Sequence, residues 1–290
     1  MARLLRSLLF VPGNNSRFLE KSKSLRADII CFDLEDSVPF EEKKSARNLI
    51  KNALKNRSEY HSEIYVRTNS PASGLIPDDL KEIIQKGVDG VVIPKVDTAN
   101  DIKKIEKTMI GLEKKRKLQP IEIIASIEST MGVVNSYAIA SSSKRVSALV
   151  FGVFDLLNDL GVEYTKNSEG SIYSRTKIPV DARAAGKYAI DAIWQDIDDV
   201  VGLEQDSLTA KNLGYVGKSI IHPNQIDIVH KVFYPTPSEI EWAKKVINAY
   251  DLAKKKKRGA TTVDGKMIDE VHYKRAVTLL NSVKNNKINS

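Results

Sequence analysis

Two short apolar runs, IEIIASI (Ile121–Ile127) and VSALVFGV (Val146–Val153), are each followed by a carboxylate, Glu128 and Asp155. Each run has the length and β-branched content of a strand buried on both faces. One helix-length segment separates them. Parallel strands joined by a helix bring their C-terminal ends side by side. Glu128 and Asp155 are therefore expected to face one small volume. Two carboxylates that close repel unless a proton or a cation lies between them. A ligand set made only of oxygens points to Mg²⁺, which keeps several of its water positions. The alternative is two separate helix N-caps at strand ends.

Other polar residues follow similar runs. DLEDS supplies Glu35 and Asp36, YVRTN supplies Arg67, and IPKV supplies Lys95. The planar fork of Arg67 suits a carboxylate. A site with Mg²⁺ and one arginine fits an α-keto or α-hydroxy acid, with Arg67 on a second charged oxygen. A salt bridge from Arg67 to Glu35 or Asp36 is the competing use, and both can hold together. Lys95 could form a Schiff base, but a lysine among several carboxylates reads as their charge partner. His222 could transfer protons, yet its HPNQ context reads as a capped turn.

The elements that must position these groups alternate. Eight strand candidates span Arg6–Val11, Asp28–Leu34, Glu63–Arg67, Gly90–Val96, Ile121–Ile127, Val146–Val153, Ala189–Gln195 and Lys218–His222. Helix-patterned segments separate them. In Glu41–Arg57, for example, Ala46, Leu49, Ile50, Ala53 and Leu54 form one stripe. Similar patterns cover Pro77–Lys86, Ala99–Lys117, Met131–Ser141, Val180–Gly186 and Ser207–Leu213. Such alternation predicts a parallel sheet, and eight units fit a closed (β/α)₈ (TIM) barrel with its chemistry at the C-terminal strand ends. An open doubly wound sheet is the rival, but VPGNNSRF is not its Gly-rich first turn. The long interval from Leu156 to Tyr188 reads as an excursion over the barrel mouth. The barrel is expected over residues 1–235. A helical extension follows over 236–290, with a helix capped by Ser238 (Ser238–Lys255), a turn TVDGKM and a last helix from Asp269 to Val283. It is expected to pack on a neighbouring subunit, with the final NNKINS frayed.

Composition sets the outer bounds. The net charge is +8 and the pI about 9.3. The dense basic run, Lys254–Arg258, has no interleaved aromatics and reads as a solvated hinge, which argues against nucleic acid as a partner. No apolar run reaches membrane-span length, and the N-terminus reads as a first strand rather than a signal peptide. The one cysteine, Cys31, excludes an internal disulfide and suits a reducing, cytoplasmic setting.

The ordered set RSLLFVPGN (Arg6–Asn14), FDLEDSV (Phe32–Val38), YVRTN (Tyr65–Asn69), SIES (Ser126–Ser129), FGVFDLLNDLG (Phe151–Gly161), GKSIIHPNQI (Gly217–Ile226) and GKMIDEVHYKRA (Gly265–Ala276) spans nearly the whole chain. It resembles the citrate lyase β-subunit-like branch of the HpcH/HpaI aldolase superfamily. The resemblance implies a homo-oligomer, trimer or hexamer, with Mg²⁺ (or Mn²⁺) on Glu128 and Asp155. It implies a carbon–carbon lyase acting on a short β-hydroxyacyl-CoA thioester such as malyl-CoA or citramalyl-CoA. The products are acetyl-CoA or propionyl-CoA and an α-keto acid, glyoxylate or pyruvate. Arg67 then carries catalysis with Asp36 and with Asp269, which reaches a neighbour's site. Arg67, Glu128, Glu35 and Lys95 contact substrate, and basic residues around Lys254–Arg258 could attract the CoA phosphates. The proline common after that aspartate is absent, since Glu270 and Val271 lead into His272. The alternatives are a citrate lyase β subunit on a carrier-bound citryl thioester, a malyl-CoA thioesterase in which Asp269 activates water, and a non-enzymatic RNA- or partner-binding protein.

Overall fold

The computed structural model describes residues 4–167 and 169–286. Strands and helices alternate through the first unit, Leu5–Phe233. They run β1 (Ser7–Pro12), α1 (Ser16–Ser22), β2 (Ile29–Asp33), α2 (Lys43–Lys55), β3 (Glu63–Arg67), α3 (Ile76–Ile83), β4 (Gly90–Ile93), α4 (Ala99–Arg116) and β5 (Glu122–Ile127). They continue as α5 (Thr130–Val134), α6 (Ser136–Ser141), β6 (Val146–Phe151), α7 (Val153–Leu160), α8 (Ile172–Ala184), β7 (Tyr188–Asp191), α9 (Val200–Leu213), β8 (Gly217–Ile220) and α10 (Gln225–Phe233). The eight strands are parallel and close into a barrel, with β8 pairing back onto β1.

Both faces of each strand are buried, which is why the strands read as continuous apolar runs. Alternate residues, among them Leu8, Ile29, Cys31, Tyr65, Val92 and Ile124, form one buried cluster along the inside. The residues between them, such as Leu9, Ile30, Val66 and Val91, join the surrounding helices in a second cluster. Gly90 is fixed by this packing, since a Cβ there would lie 2.0 Å from Cε1 of Tyr65. The expected stripe on α2 is borne out in part. Ala46, Ile50 and Leu54 are buried, and Leu49 and Ala53 are partly buried against the same core.

Several boundaries differ from expectation. The last strand residues and α7 share one apolar run, so β6 stops at Phe151 and a helix begins at Val153. Asn135 divides the expected Met131–Ser141 helix into α5 and α6. The excursion after Leu160 carries α8, which starts at Ile172 and tolerates Pro179 inside it.

A second unit begins at Tyr234. It holds α11 (Pro237–Lys255), the antiparallel pair β9 (Ala260–Val263) and β10 (Lys266–Asp269), and α12 (Glu270–Asn286). The cap of α11 is Thr236 rather than Ser238. Pro237 fits the first helical position and Glu239 closes a capping box, donating its N–H to Thr236 Oγ1 (3.2 Å) and accepting the Thr236 N–H (2.8 Å). The expected turn TVDGKM is a hairpin whose central Asp264 and Gly265 have φ of +47° and +76°, as a two-residue type I′ turn requires. Lys254 and Lys255 close the last turn of α11, where positive charge suits the helix C-terminus. Ala243, Val246, Val263, Ile268 and Ala276 form this unit's core. Of the segment expected to fray, residues 287–290 lie outside the described residues.

Candidate active site

The C-terminal ends of β2 to β6 bring most of the expected residues together. Lys95 contacts three carboxylates: Glu35 Oε1 at 3.0 Å, Asp36 Oδ1 at 3.3 Å and Asp155 Oδ1 at 3.3 Å. Lys95 also has φ of +50°, a left-handed conformation that a non-glycine residue holds only when its surroundings enforce it. Burial lowers the affinity of Lys95 for its proton, but the hydrogen bond to Glu35 and the three carboxylate charges outweigh it and hold the ammonium protonated. Lys95 is thus placed as the charge partner that its surroundings suggested, not as a free amine.

Arg67, the last residue of β3, is fixed more tightly than its neighbours in sequence imply. Its Nε donates to Asp33 Oδ1 at 2.7 Å and its Nη2 to Asp33 Oδ2 at 2.8 Å. Its guanidinium lies over the Phe10 ring, 4.5 Å from the centroid. Nη1 faces Glu35 Oε2 at 3.2 Å and Asp36 Oδ2 at 3.7 Å. The fork expected for substrate is therefore engaged by Asp33, and Nη1 is the edge turned toward Glu35 and Asp36. Asp33 was missed in the sequence because DLED offers three carboxylates in four positions. The signal was the two-residue period, which puts Asp33 on the same side as Ile29 and Cys31, directly opposite Arg67 in the β2–β3 register. Asp33 is fully buried; burial favours its neutral form, but Arg67 and the Ser37 hydroxyl hold it ionised, below the usual carboxylate range. Lys43 was also missed. Its Nζ donates to the carbonyls of Leu34 (2.6 Å) and Glu35 (2.7 Å) and so fixes the loop that carries Glu35.

Glu128 follows β5 and is buried, with Oε2 lacking a hydrogen-bond partner among the described residues. Burial pushes its carboxyl up, and Asp155 adds to the shift. Gly152 lines this side: a Cβ there would lie 2.3 Å from Glu128 Cγ. Neither Glu128 nor Asp155 is a helix N-cap. Ser129 caps α5 by accepting the Gly132 N–H at 2.9 Å, and Gly152 precedes α7, whose first turn carries Asp155. Burial also pushes Glu35 up to about 8, against the Arg67 charge, with Glu128 and Asp36 adding to the rise. Glu35 is the most enclosed of the three carboxylates around Lys95, its side chain 8% exposed against 53% for Asp36 and 43% for Asp155.

His222 and Asp269 have other partners. His222 Nδ1 accepts the Asn224 N–H at 3.2 Å, the capped turn that its context suggested. Asp269 belongs to the second unit, at the end of β10, where its carboxylate pairs with His272.

The model of the HpcH/HpaI aldolase/citrate lyase family matches residues 6–223. The chain is 35% identical over 280 residues to citrate lyase subunit beta of Escherichia coli (strain K12), covering 96% of this chain and 93% of that one. It is 35% identical over 293 residues to the mitochondrial citramalyl-CoA lyase of Rattus norvegicus, covering 96% of this chain and 87% of the relative. Protein CitE from Mycobacterium tuberculosis, solved in complex with magnesium, acetoacetate and coenzyme A, superposes with a TM-score of 0.79 at 27% identity, over 95% of this chain and 97% of that chain.

Proposed function

The chain belongs to the HpcH/HpaI aldolase/citrate lyase family, and from that premise we propose that it is a Mg²⁺-dependent carbon–carbon lyase. Its substrate is a short β-hydroxyacyl-CoA thioester of the malyl-CoA or citramalyl-CoA type, and its products are acetyl-CoA or propionyl-CoA and an α-keto acid. The observation that carries this reading is the buried Oε2 of Glu128, which has no hydrogen-bond partner among the described residues, at the end of the strand paired with the one that leads to Asp155. A hard cation fits such an oxygen donor set. The described residues hold no group of three or more His, Cys, Asp or Glu arranged for a metal. Glu128 and Asp155 would therefore hold the ion alone, leaving its other positions to substrate and water. Mg²⁺ bound there supplies Lewis-acid stabilisation of negative charge on the substrate's hydroxyl oxygen.

The chain's own residues have separate tasks. Arg67 offers Nη1 to the oxygen on which enolate charge develops as the C–C bond breaks. Asp33 and Phe10 keep that guanidinium in place, so no reorganisation is needed during reaction. Glu35 and Asp36 orient Arg67 and Lys95. Lys95 balances the carboxylates around it. Asp269, from a neighbouring copy, moves the proton at the enolate carbon. What supports assembly is a set of exposed apolar side chains on the barrel unit, part of it in a run without charged residues. Residues 129–142 carry no charged side chain in a chain whose charged content is 28%. Met131, Val134 and Tyr137 from this segment are exposed, as are Ile172, Tyr173 and Val180 on α8, against which α6 packs. Exposed apolar side chains grouped on neighbouring helices are what a contact between copies would bury.

The test is a panel of acyl-CoAs with Mg²⁺, reading both the released acyl-CoA and the keto acid. Turnover should vanish with EDTA and in Glu128→Gln or Asp155→Asn. Turnover of a carrier-bound citryl thioester alone would transfer the reading to a citrate lyase β subunit. Free CoA appearing with malate would make the protein a thioesterase.

A further inference from the structure

Asp269 sits at a joint. It is the last residue of β10, and α12 starts at the next residue. The preceding Ile268 is fully buried in the core of the second unit, which fixes the backbone on one side. Three donors then converge on a single carboxylate oxygen, Oδ1. The Val271 N–H reaches it at 3.0 Å, the His272 N–H at 3.3 Å and His272 Nδ1 at 2.7 Å. An ionised carboxylate only accepts hydrogen bonds, so Nδ1 carries the proton and donates. The 3.4 Å approach of the Asp269 N–H to the same nitrogen is then a contact and not a bond. The side chains of Asp269 and His272 are 38% and 39% exposed, so the free edge of the carboxylate is open to a ligand. The nearest charges on α12, Glu270 and Lys274, pair with each other at 2.9 Å.

We propose that His272 is the positioning residue of Asp269, fixing Oδ1 so that Oδ2 is the oxygen that exchanges a proton with substrate. The proposal rests on the reading of Asp269 as the proton-transferring group. In the condensing direction Oδ2 takes a proton from the carbon beside the thioester; the C–H bond breaks, an O–H bond forms, and the electron pair moves into the enolate. In the cleaving direction Oδ2 returns that proton to the enolate carbon. With Oδ1 held by three donors, the lone pairs of Oδ2 keep one direction. A proline in place of Val271 would have no N–H to donate. This chain has that donor and the imidazole.

The arrangement also resembles an ordinary helix cap, and the experiment separates the two. The full-length protein with Mg²⁺ is incubated with acetyl-CoA or propionyl-CoA in D₂O, and deuterium uptake at the carbon beside the thioester is followed by mass spectrometry across pH. His272→Ala should slow uptake about tenfold, the scale of one lost hydrogen bond to a charged group at a half-open site. Its acid limb should move to higher pH, since the imidazole donor holds Asp269 below the usual carboxylate range. His272→Asn, whose amide nitrogen occupies the place of Nδ1, should restore both rate and pH profile. A His272→Ala protein that melts earlier but keeps the wild-type profile would reduce His272 to a cap and overturn the proposal. So would an Asn variant that folds but rescues nothing. Asp269→Asn serves as the control: if it exchanges like wild type, the role of Asp269 itself falls. If it is dead while His272→Ala is unaltered, only the present inference falls.

Discussion

Glu35 is the residue at which burial and charge conflict most plainly. Its carboxyl lies 3.0 Å from the Lys95 ammonium and 3.2 Å from Arg67 Nη1, yet burial pushes it up to about 8 from an ordinary 4.5. The folded chain therefore keeps this proton over a range in which the unfolded chain has lost it. Stability falls as pH rises wherever the folded state binds more protons. The contribution is fully present below about 4.5 and is lost as pH climbs through about 8. In EDTA-containing buffer, the denaturant midpoint of the wild-type chain should drop between about pH 5 and about pH 9 relative to Glu35→Gln, which cannot ionise. Parallel pH slopes for the two proteins would show that Glu35 is not the group responsible. At this scale the sequence was most legible where one polar residue ends an apolar run, as at Arg67 and Glu128. It was least legible in DLED, where adjacency gives no preference among three carboxylates and only strand register singles out Asp33. Lys43 was hidden for another reason: it acts on backbone carbonyls, which leave no mark in a residue pattern.

Among the elements, the turn from β6 into α7 has the strongest demand on a single position. Gly152 is extended (φ −105°), so its backbone suits other residues. The constraint is contact: an added Cβ would lie 2.3 Å from Glu128 Cγ and 3.1 Å from Oε1. Gly152→Ala should leave folding nearly intact, displace Glu128 and lower Mg²⁺-dependent turnover about a hundredfold, the usual scale for an ångström of misplacement. Wild-type turnover in that variant would mean Glu128 has no fixed role. The eight strands could be found because burial on both faces makes each a dense apolar block. The helices α1, α7 and α10 were overlooked, α7 because its apolar residues continue those of β6 without a polar gap. Ser238 and Thr236 are both competent caps; the deciding signals were their neighbours, Pro237 and Glu239. Lys218, a fully buried lysine in β8, is tolerated because Asp191 meets it at 2.7 Å and Asp206 also binds it. Neither partner is adjacent in sequence.

For the molecule as a whole, counting strand–helix units was enough to reach a closed barrel, because eight parallel strands enclose an interior that side chains just fill. The tail was harder to read, since a two-residue Asp–Gly turn inside a short polar stretch gives little notice of a hairpin. The division into units has a genetic consequence. Glu128 and Asp155 lie in Leu5–Phe233, while Asp269 lies in the unit that begins at Tyr234. If each site takes its Asp269 from a neighbour, two defective alleles can repair one another. Asp155→Asn and Asp269→Asn chains, each inactive alone, would recover about a quarter of wild-type turnover when co-expressed in equal amounts and assembled at random in a cyclic oligomer. Activity that stays at the level of the separate variants would mean that each chain furnishes its own aspartate. Inheritance of the trait would then follow single chains, whereas complementation would make the heritable unit of function the pair.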